Sequence, residues 1–513
     1  MVGVFVILCM AIHCSTTARI LGIISFPSYS HQIAFQPLWR ELSLRGHQVT
    51  TLTTDSMNDP ELTNLTEIDL NFSYDAWTST LSDFVKSTQT NFIKGIGMTT
   101  FTIQEFSRLQ LEYSEVQRLI RSDASFDLVI VEYHTPSMFA FAERFSCPHI
   151  GVLSLDPPSS TLKSIGHPVH PVLYPDFMLS FTGHSTLLER LKSVAYSTFA
   201  EMLYYHYLYS IQQQHVERFF GSNYSSLKEI AKNASLFFMN TDPVFHKVKP
   251  LLPNVIQIGG GSYRIPTGVL PHHLMKLLDS ASEGVIYFSL GSNVKSEDLS
   301  STTRNLILET FGELPYTVLW KFESENMPNR PKNVHISKWY PQQNLLKHPN
   351  VKLFITQGGL QSMNEAIYAH VPMIVMPFYA DQFFNAKRIL ERGVGISLDY
   401  TKLQKEDFKS AIIEVITNHG YKKKLKKLAE LASDQPMTGI ERAIWWTEYV
   451  IRHKGAKHLR SPYLDIPFYQ YYLMDIILSL FLLFLVFLGV VYISLMVAKR
   501  VYLCKHNFKV KVE

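Results

Sequence analysis

The sequence predicts an α/β protein built on parallel sheets, with one membrane-crossing helix near the C-terminus. Short apolar runs, such as residues 20–26, 49–53 and 351–356, alternate with amphipathic segments of helical spacing. Strands that are buried on both faces of a parallel sheet have this continuous apolar character. Residues 476–498 carry no charge. At about 1.5 Å per residue, this segment is long enough to cross a hydrocarbon core of about 30 Å.

The length and charge of the chain narrow the classes of protein to consider. Its 513 residues suffice for two or three domains with large cores. The net charge of +4 is small for this length, which argues against nucleic acid as the main partner. Aromatic residues make up 13% of the chain, a content that suits an apolar ligand cavity.

The first 18 residues have the pattern of a signal peptide. Residues 2–12 form an apolar run, and the small residues Thr16 and Ala18 allow cleavage after Ala18. The basic residues that normally precede such a run are missing. An uncleaved anchor or a first core strand is the alternative. We expect cleavage, which places the mature chain in the secretory pathway.

The C-terminal residues 499–513 are predicted to form a cytosolic tail. They contain several basic residues directly after the apolar span: Lys499, Arg500, Lys505, Lys509 and Lys511. Positive charge marks the cytosolic side of a membrane helix, so the preceding domains are expected in the lumen. Lys509 and Lys511 also resemble a dilysine retrieval signal of endoplasmic-reticulum membrane proteins. The simpler interpretation is positive-inside charge alone.

A lumenal location has two consequences for the domains. Four Asn-x-Ser/Thr sequons become candidate glycosylation sites: Asn64, Asn71, Asn223 and Asn233. The chain has four cysteines, of which two leave with the signal peptide and Cys504 lies in the tail. Cys147 then has no lumenal partner, and no intrachain disulfide is expected there.

Residues 19–250 are predicted to form a first α/β domain that carries a base and a carboxylate. Residues 20–26 lead through a loop into a helical segment, residues 32–45, so His31 lies beside a helix N-terminus. The positive helix end keeps a histidine neutral and able to act as a base near pH 7. Glu132 ends another apolar run, where its carboxylate can accept the imidazole N–H and stabilise the imidazolium. A satisfied loop histidine and a strand-end surface acid are the alternatives.

The rest of this domain contains no motif. Residues 75–118 and 154–220 are rich in Phe, Tyr, Leu and Met, including the run 204–207. Such segments are either helical core or the wall of an apolar acceptor pocket. Residues 251–275 contain a Pro/Gly cluster and are predicted to be an interdomain linker.

The most informative stretch, residues 351–390, lies in the second predicted α/β domain, residues 276–440. A strand leads into Gln357, Gly358 and Gly359, and a helical segment follows. Two glycines before a helix let backbone N–H groups approach an anion, which the helix N-terminus favours. Asp381 and Gln382 follow the next apolar run, so both loops are expected at the carboxyl ends of neighbouring strands. An ordinary βα turn is the alternative.

This stretch, with residues 339–346 upstream, resembles the signature of the UDP-glycosyltransferase family. Eight spaced positions fall in register: Trp339, Gln342, Gly358, Gly359, Ser362, Glu365, Asp381 and Gln382. The resemblance covers essentially the whole chain and is strongest to the membrane-bound insect enzymes, UDP-glucosyl- or UDP-glucuronosyltransferases. Many members have His where this chain has Gln357. A neutral amide can still donate to a phosphate, so the difference bears mainly on the choice of sugar.

The resemblance implies a role for each of these positions. His31 and Glu132 correspond to the catalytic pair, although Glu132 is one methylene longer than the usual Asp. Trp339 would stack on the uracil, Glu365 would accept from the ribose hydroxyls, and Asp381 with Gln382 would bind sugar hydroxyls. The other UDP-sugar-binding candidates are Ser289, Gly291, Ser292, Gln342, Gln357, Gly358, Gly359, Gln361 and Ser362.

The resemblance implies the GT-B fold, with two facing Rossmann-like domains, followed by a return helix and membrane-proximal segment in residues 441–475. The expected reaction is inverting transfer of glucose from UDP-glucose to a hydroxyl of a small lipophilic acceptor, as in detoxification. No Asp-x-Asp motif occurs, so neither a catalytic metal nor another cofactor is expected. A homo-oligomer is a further expectation. A nucleotide-dependent oxidoreductase would need a GxGxxG fingerprint that neither half contains. A non-catalytic lipophile carrier with the same fold stays open.

Overall fold

The computed structural model describes residues 17–79, 92–179, 181, 185–246, 248–259 and 269–510. Most of the predicted signal peptide, the centre of the Pro/Gly cluster and Lys511 lie outside these residues. The chain divides into two compact units, Met1–Arg460 and Ser461–Glu513, each of which is described by itself.

The first half of the larger unit contains a parallel sheet in the order β3-β2-β1-β4-β5-β6-β7. Its strands are β1 Arg19–Ile24, β2 Gln48–Thr53, β3 Leu65–Asp69, β4 Leu128–Glu132, β5 His149–Leu153, β6 Leu236–Met239 and β7 Val255–Gln257. Strands β1 and β4 are paired, with Ile23 opposite Val131. The strand order reverses between these two strands, and ligands bind at the carboxyl ends of strands flanking such a switch point.

Helices cover both faces of this sheet, as its buried strands require. They are α1 Tyr29–Leu44, α2 Phe92–Glu112, α3 Ser114–Arg121, α4 Ala140–Arg144, α5 Ser159–Ser164, α6 Leu187–Met202, α7 Tyr209–Phe219 and α8 Leu227–Lys232. A π-helical turn, Leu203–Leu208, joins α6 to α7.

The second half contains another parallel sheet, in the order β10-β9-β8-β11-β12-β13. Its strands are β8 Val285–Ser289, β9 Thr317–Lys321, β10 Val334–Ser337, β11 Val351–Thr356, β12 Met373–Val375 and β13 Gly395–Ser397. Ser289 lies opposite Thr356, so the loops after β8 and β11 meet at the switch point of this sheet.

The helices of the second half follow the same alternation. They are α9 His272–Ser280, α10 Ser301–Gly312, α11 Gln342–Leu346, α12 Leu360–Tyr368, α13 Gln382–Arg392, α14 Lys405–Thr417, α15 His419–Ser433 and α16 Gly439–His453. Short 3₁₀ turns lie at Asn71–Ser73, Pro136–Phe139, Ser296–Asp298, Tyr400–Lys402, Lys457–Leu459 and Pro462–Asp465.

Helix α16 returns to the first half. Its buried Ala443 and Ile444 belong to the same apolar cluster as Ile20 and Leu42. Arg442 donates to the carbonyl of Gln257 at 2.7 Å. A capping box at Thr438 begins this helix.

The smaller unit contains the 3₁₀ turn Pro462–Asp465, the short helix α17 Phe468–Tyr471 and the long helix α18 Met474–Val510. The most apolar 18-residue stretch of Met474–Cys504 has a mean hydropathy of 3.0, and the side chains of this helix are exposed. Among the described residues this is the one helix that is long and apolar enough to cross a membrane. It contains the span predicted from the sequence.

Candidate active site

The carboxyl ends of both sheets open onto one cleft with a cavity of about 360 Å³. Loops from the two halves line it together, with His31 and Ser154 on one side and Ser292 and Asp381 on the other. The location follows from the two switch points, which face each other in the larger unit.

His31 and Glu132 form a buried pair in this cleft. Nδ1 of His31 lies 2.6 Å from Oε1 of Glu132, and the Glu132 side chain is inaccessible to solvent. Burial alone would raise the pKa of Glu132, but the charge of His31 and polar contacts with both His31 and His134 outweigh it and lower the pKa to about 2. The carboxylate therefore stays ionised and holds the imidazole.

The His31 ring is also fixed by packing. Phe26 stacks on it with 4.6 Å between ring centroids and an interplanar angle of 18°. The sequence predicted that His31 lies in the loop before α1. In the structure α1 begins at Tyr29, so His31 lies in the first helical turn. The prediction was wrong because the carbonyl of Ser28 already accepts from the backbone N–H groups of His31 and Gln32, which extends the helix to Tyr29.

The two glycine-containing loops of the second half lie side by side. Gly291 has φ of 81° and Gly358 has φ of 87°, both in the region that disfavours other residues. A Cβ atom on Gly291 would collide with the side-chain amide of Gln357, which lies over this loop. Oε1 of Gln357 accepts from Thr356 at 2.9 Å, so its amide nitrogen is turned towards the glycines and can donate to a ligand.

Helix α12 begins directly behind these loops. Its N-cap is Gly359, and no side chain caps it. The first N–H groups of the helix therefore need an acceptor from elsewhere, and they favour an anion. Gly359 itself lines the cleft, whereas Gly358 supports the loop from behind and accepts from Asn385 through its carbonyl at 2.9 Å.

Three polar residues form a connected set next to an exposed indole. Nε2 of Gln342 donates to Oε2 of Glu365 at 2.7 Å and to Oγ of Ser362 at 3.1 Å. Trp339 is 51% exposed at the cleft, and Tyr29 meets it edge-on with 5.0 Å between ring centroids. The exposed indole is suited to stacking on a nucleobase, and the buried carboxylate beside it is suited to accepting from the two hydroxyls of a ribose.

Asp381 and Gln382 lie at the junction of the β12 loop with α13. Oδ2 of Asp381 accepts from Asn385 at 2.8 Å, and burial raises the pKa of Asp381 to about 6. Oε1 of Gln382 accepts from the backbone N–H groups of Phe378 and Tyr379. This leaves the amide nitrogen of Gln382 for a ligand.

Two predicted binding residues have other partners in the structure. Ser289 is buried, and its Oγ accepts from the N–H of Gly291 at 3.3 Å, so it holds the turn. Gln361 bridges the two halves: it donates to the carbonyls of Ser30 and Ser154 and accepts from Asn240. Both residues still line the cleft, and direct contact with the donor stays a prediction for all of the binding candidates.

The other end of the cleft is apolar. It is lined by Trp77, Ile103, Phe177 and Met178. All four belong to residues 75–118 and 154–220, for which the sequence allowed either helical core or the wall of an acceptor pocket. The tyrosine run at 204–207 does not line the cleft within the described part of the chain. Tyr204 instead packs against the cores of the larger unit.

Sequence reasoning missed three polar residues of the cleft, Asn293, Lys321 and His134. Asn293 donates to Oγ of Ser28 at 3.0 Å across the two halves. Lys321 lies 5.7 Å from the centre of the Trp339 ring and donates to Glu323. His134 lies 3.5 Å from Oε1 of Glu132. Lys321 lies at the end of β9, and His134 lies two residues after β4. Both positions are at carboxyl ends of predicted strands, so the sequence contained a signal for them.

Comparison with known proteins identifies the family. The family model described as "UDP-glucoronosyl and UDP-glucosyl transferase" matches residues 22–512. The chain belongs to this family.

Individual relatives agree with this assignment. UDP-glycosyltransferase UGT5 from Dactylopius coccus is 31% identical over 491 residues, which cover 95% of this chain and 93% of that one. Human UDP-glucuronosyltransferase 2B15 is 30% identical over 472 residues, covering 88% and 87%. The crystal structure of Os79 from O. sativa has a TM-score of 0.58 at 17% identity and covers 84% of this chain and all of that one. The fold is therefore GT-B, and this family member is a glycosyltransferase that uses a UDP-sugar.

Proposed function

We propose that this glycosyltransferase transfers glucose from UDP-glucose to a hydroxyl of a small lipophilic acceptor, with inversion at the anomeric carbon. The observation that carries the proposal is the His31–Glu132 pair, 2.6 Å apart, in the same cleft as the uncapped N-terminus of α12. A base and an anion site in one cavity are what displacement of a nucleoside diphosphate requires.

The reaction follows from these positions. With its Nδ1–H donated to Glu132, His31 presents Nε2 to the acceptor hydroxyl and takes its proton. The acceptor oxygen forms a bond to the anomeric carbon as the bond from that carbon to the diphosphate oxygen breaks. The electron pair leaves on UDP, whose charge is stabilised by the N–H groups at the start of α12 and by the amide of Gln357. We propose that no metal takes part.

Charge in the cleft supports glucose as the donor sugar. Lys321 is the one Lys or Arg among the described residues that line the cleft. Lys321 is paired with Glu323 beside Trp339, at the end of the cleft that we assign to the uracil. Asp381, which we assign to the sugar, would repel the carboxylate of glucuronic acid once ionised. The apolar wall around Trp77 and Phe177 supports an apolar acceptor.

The proposed cellular location is the endoplasmic-reticulum membrane, with the catalytic domains in the lumen. Cleavage after Ala18 would leave the first strand intact, because β1 begins at Arg19. All four sequon asparagines are exposed, which supports their proposed glycosylation. The long apolar helix α18 supports the membrane anchor.

The test uses membranes that contain the expressed protein, opened with detergent, and a generic phenol as acceptor. UDP-glucose, UDP-glucuronic acid, UDP-galactose and UDP-N-acetylglucosamine are offered separately, each with and without EDTA. We expect product from UDP-glucose alone, with the β configuration and at a rate that EDTA does not lower. Product from UDP-glucuronic acid would overturn the assignment of the sugar, and loss of product in EDTA would overturn the metal-independent reaction.

The same preparation separates an enzyme from a carrier. His31→Ala should abolish turnover but leave UDP binding intact, since His31 lies outside the Trp339–Glu365 set. Turnover that survives in His31→Ala would overturn the proposed base.

A further inference from the structure

A cluster of potential metal ligands surrounds the buried carboxylate of Glu132. One ligand atom from each of His31, Glu132 and His134 lies within 4.8 Å of the other two. Among the described residues, this is the group of three or more such side chains that could hold a metal ion. His134 takes no part in the reaction proposed above.

The donor set is incomplete without a further ligand. Glu132 is wholly buried, and its Oε2 makes no hydrogen bond to any described residue. Nδ1 of His134 is also buried without a well-aligned hydrogen bond in this part of the chain, although it lies 3.5 Å from Oε1 of Glu132. A buried charged oxygen and a buried ring nitrogen that both lack good partners are costly unless a ligand satisfies them.

We propose that this cluster is an inhibitory site for Zn²⁺, or for a transition metal of similar preference, which silences the enzyme by capturing its base. Two imidazoles and one carboxylate are ligands that suit Zn²⁺, whereas Mg²⁺ and Ca²⁺ prefer oxygen. The three side chains provide three positions, and the cleft provides room for a water as the fourth. The inference rests on the proposed role of His31.

The spacing requires only a small adjustment. Ligand atoms about 2.0–2.2 Å from a tetrahedral zinc ion lie about 3.3–3.6 Å from one another. The 3.5 Å between His134 and Glu132 already satisfies this, and the 2.6 Å between His31 and Glu132 must open by about 1 Å. The ligand atoms of His31 and His134 lie within 4.8 Å of each other and must close by at most about 1.5 Å.

Inhibition follows from the tautomer of His31. When Nδ1 binds the metal it cannot carry a proton, so the neutral ring carries its proton on Nε2. That nitrogen faces the acceptor hydroxyl in the proposed reaction and can then no longer accept a proton. The metal also separates Glu132 from the imidazole. Zinc should therefore lower kcat and leave the KM for UDP-glucose unchanged, because the residues assigned to UDP-glucose lie in the second half.

Metal binding is tested first, without any reaction. Full-length protein in detergent is freed of metal with a chelator and titrated with Co²⁺, whose visible absorption reports histidine coordination, and then with Zn²⁺ in competition. We expect one site that His134→Asn weakens at least about tenfold and that His31→Ala also weakens. The matched control is His273→Asn, which removes an exposed histidine of α9 away from the cleft and should leave binding unchanged.

Inhibition is tested on the same variants with UDP-glucose and the phenol. The inhibition constant for Zn²⁺ should rise at least about tenfold in His134→Asn relative to the wild type and to His273→Asn, whatever the basal rate of each protein. Equal inhibition of the wild type and His134→Asn would overturn the proposal, and so would unchanged Co²⁺ binding in both cleft variants. If no donor gave product, the Co²⁺ titration would still test the metal site. Failure of the proposed function can therefore be distinguished from failure of the metal site.

Discussion

Replacing Glu132 with Gln tests the catalytic pair with the least change in shape. Glutamine has the same length and can still contact the imidazole, but it carries no charge. In the transition state His31 becomes a cation, and the wild-type carboxylate lies 2.6 Å from it in a site closed to solvent. The variant removes this stabilisation and leaves the ring free to adopt the other tautomer.

The expected magnitude comes from the pKa of Glu132. The attraction of the neighbouring histidines outweighs burial and lowers this pKa from 4.5 to about 2. At about 1.4 kcal/mol for each pKa unit, His31 and His134 together stabilise the carboxylate by roughly 3 kcal/mol after the cost of burial is met, which is an upper bound for the contribution of His31. If this stabilisation is fully present in the transition state, kcat should fall on the order of a hundredfold in Glu132→Gln.

The assay is initial-rate kinetics with UDP-glucose and a phenol, together with UDP binding followed by quenching of tryptophan fluorescence. We expect kcat to fall while the Kd for UDP stays within about twofold, because Glu132 lies apart from the nucleotide residues. Glu115→Gln, which alters an exposed surface pair with Arg118, should change neither quantity. A Glu132→Gln variant that keeps a third or more of the wild-type kcat would refute the role assigned to this carboxylate.

Three further predictions concern the donor side of the cleft. Burial raises the pKa of Asp381 to about 6, so its carboxylate is protonated below that pH. The KM for UDP-glucose should therefore fall as pH rises through about 6. Asp381→Asn should remove this dependence. Trp339→Ala should weaken UDP binding about 10- to 100-fold, as expected for loss of base stacking, whereas Trp339→Phe should retain most of it; equal losses in a binding titration would exclude stacking. Gly358→Ala combines a φ of 87° with a Cβ only 2.6 Å from Val375, whereas Gly46→Ala has a φ of 91° in open surroundings. Gly358→Ala should therefore lower the Tm, measured by differential scanning fluorimetry, more than Gly46→Ala does. Equal shifts in Tm would exclude the clash.

The alternation of apolar runs and helical segments was sufficient to predict the fold class and the strands that carry the site. Strands β1, β4, β8 and β11 are four or more residues long and wholly or largely apolar, so their burial is written into local sequence. Strands β3, β5, β7 and β13 were missed. Strands β7 and β13 are three residues long, and β3 is an edge strand with mixed burial, so neighbours in the sheet decide their conformation.

The sequence by itself determined the family, the two parallel sheets and the residue types at the carboxyl ends of their strands, because short-range spacing encodes a strand, a glycine turn and a helix N-terminus. Only the tertiary structure decided which of these residues meet. Glu132 reaches His31 because β1 pairs with β4, although the two residues are 101 positions apart. In the same way it placed His134 against Glu132 and made Gln361 a bridge between the halves. Contacts between distant segments depend on strand order and on packing across the cleft, and no local pattern records them.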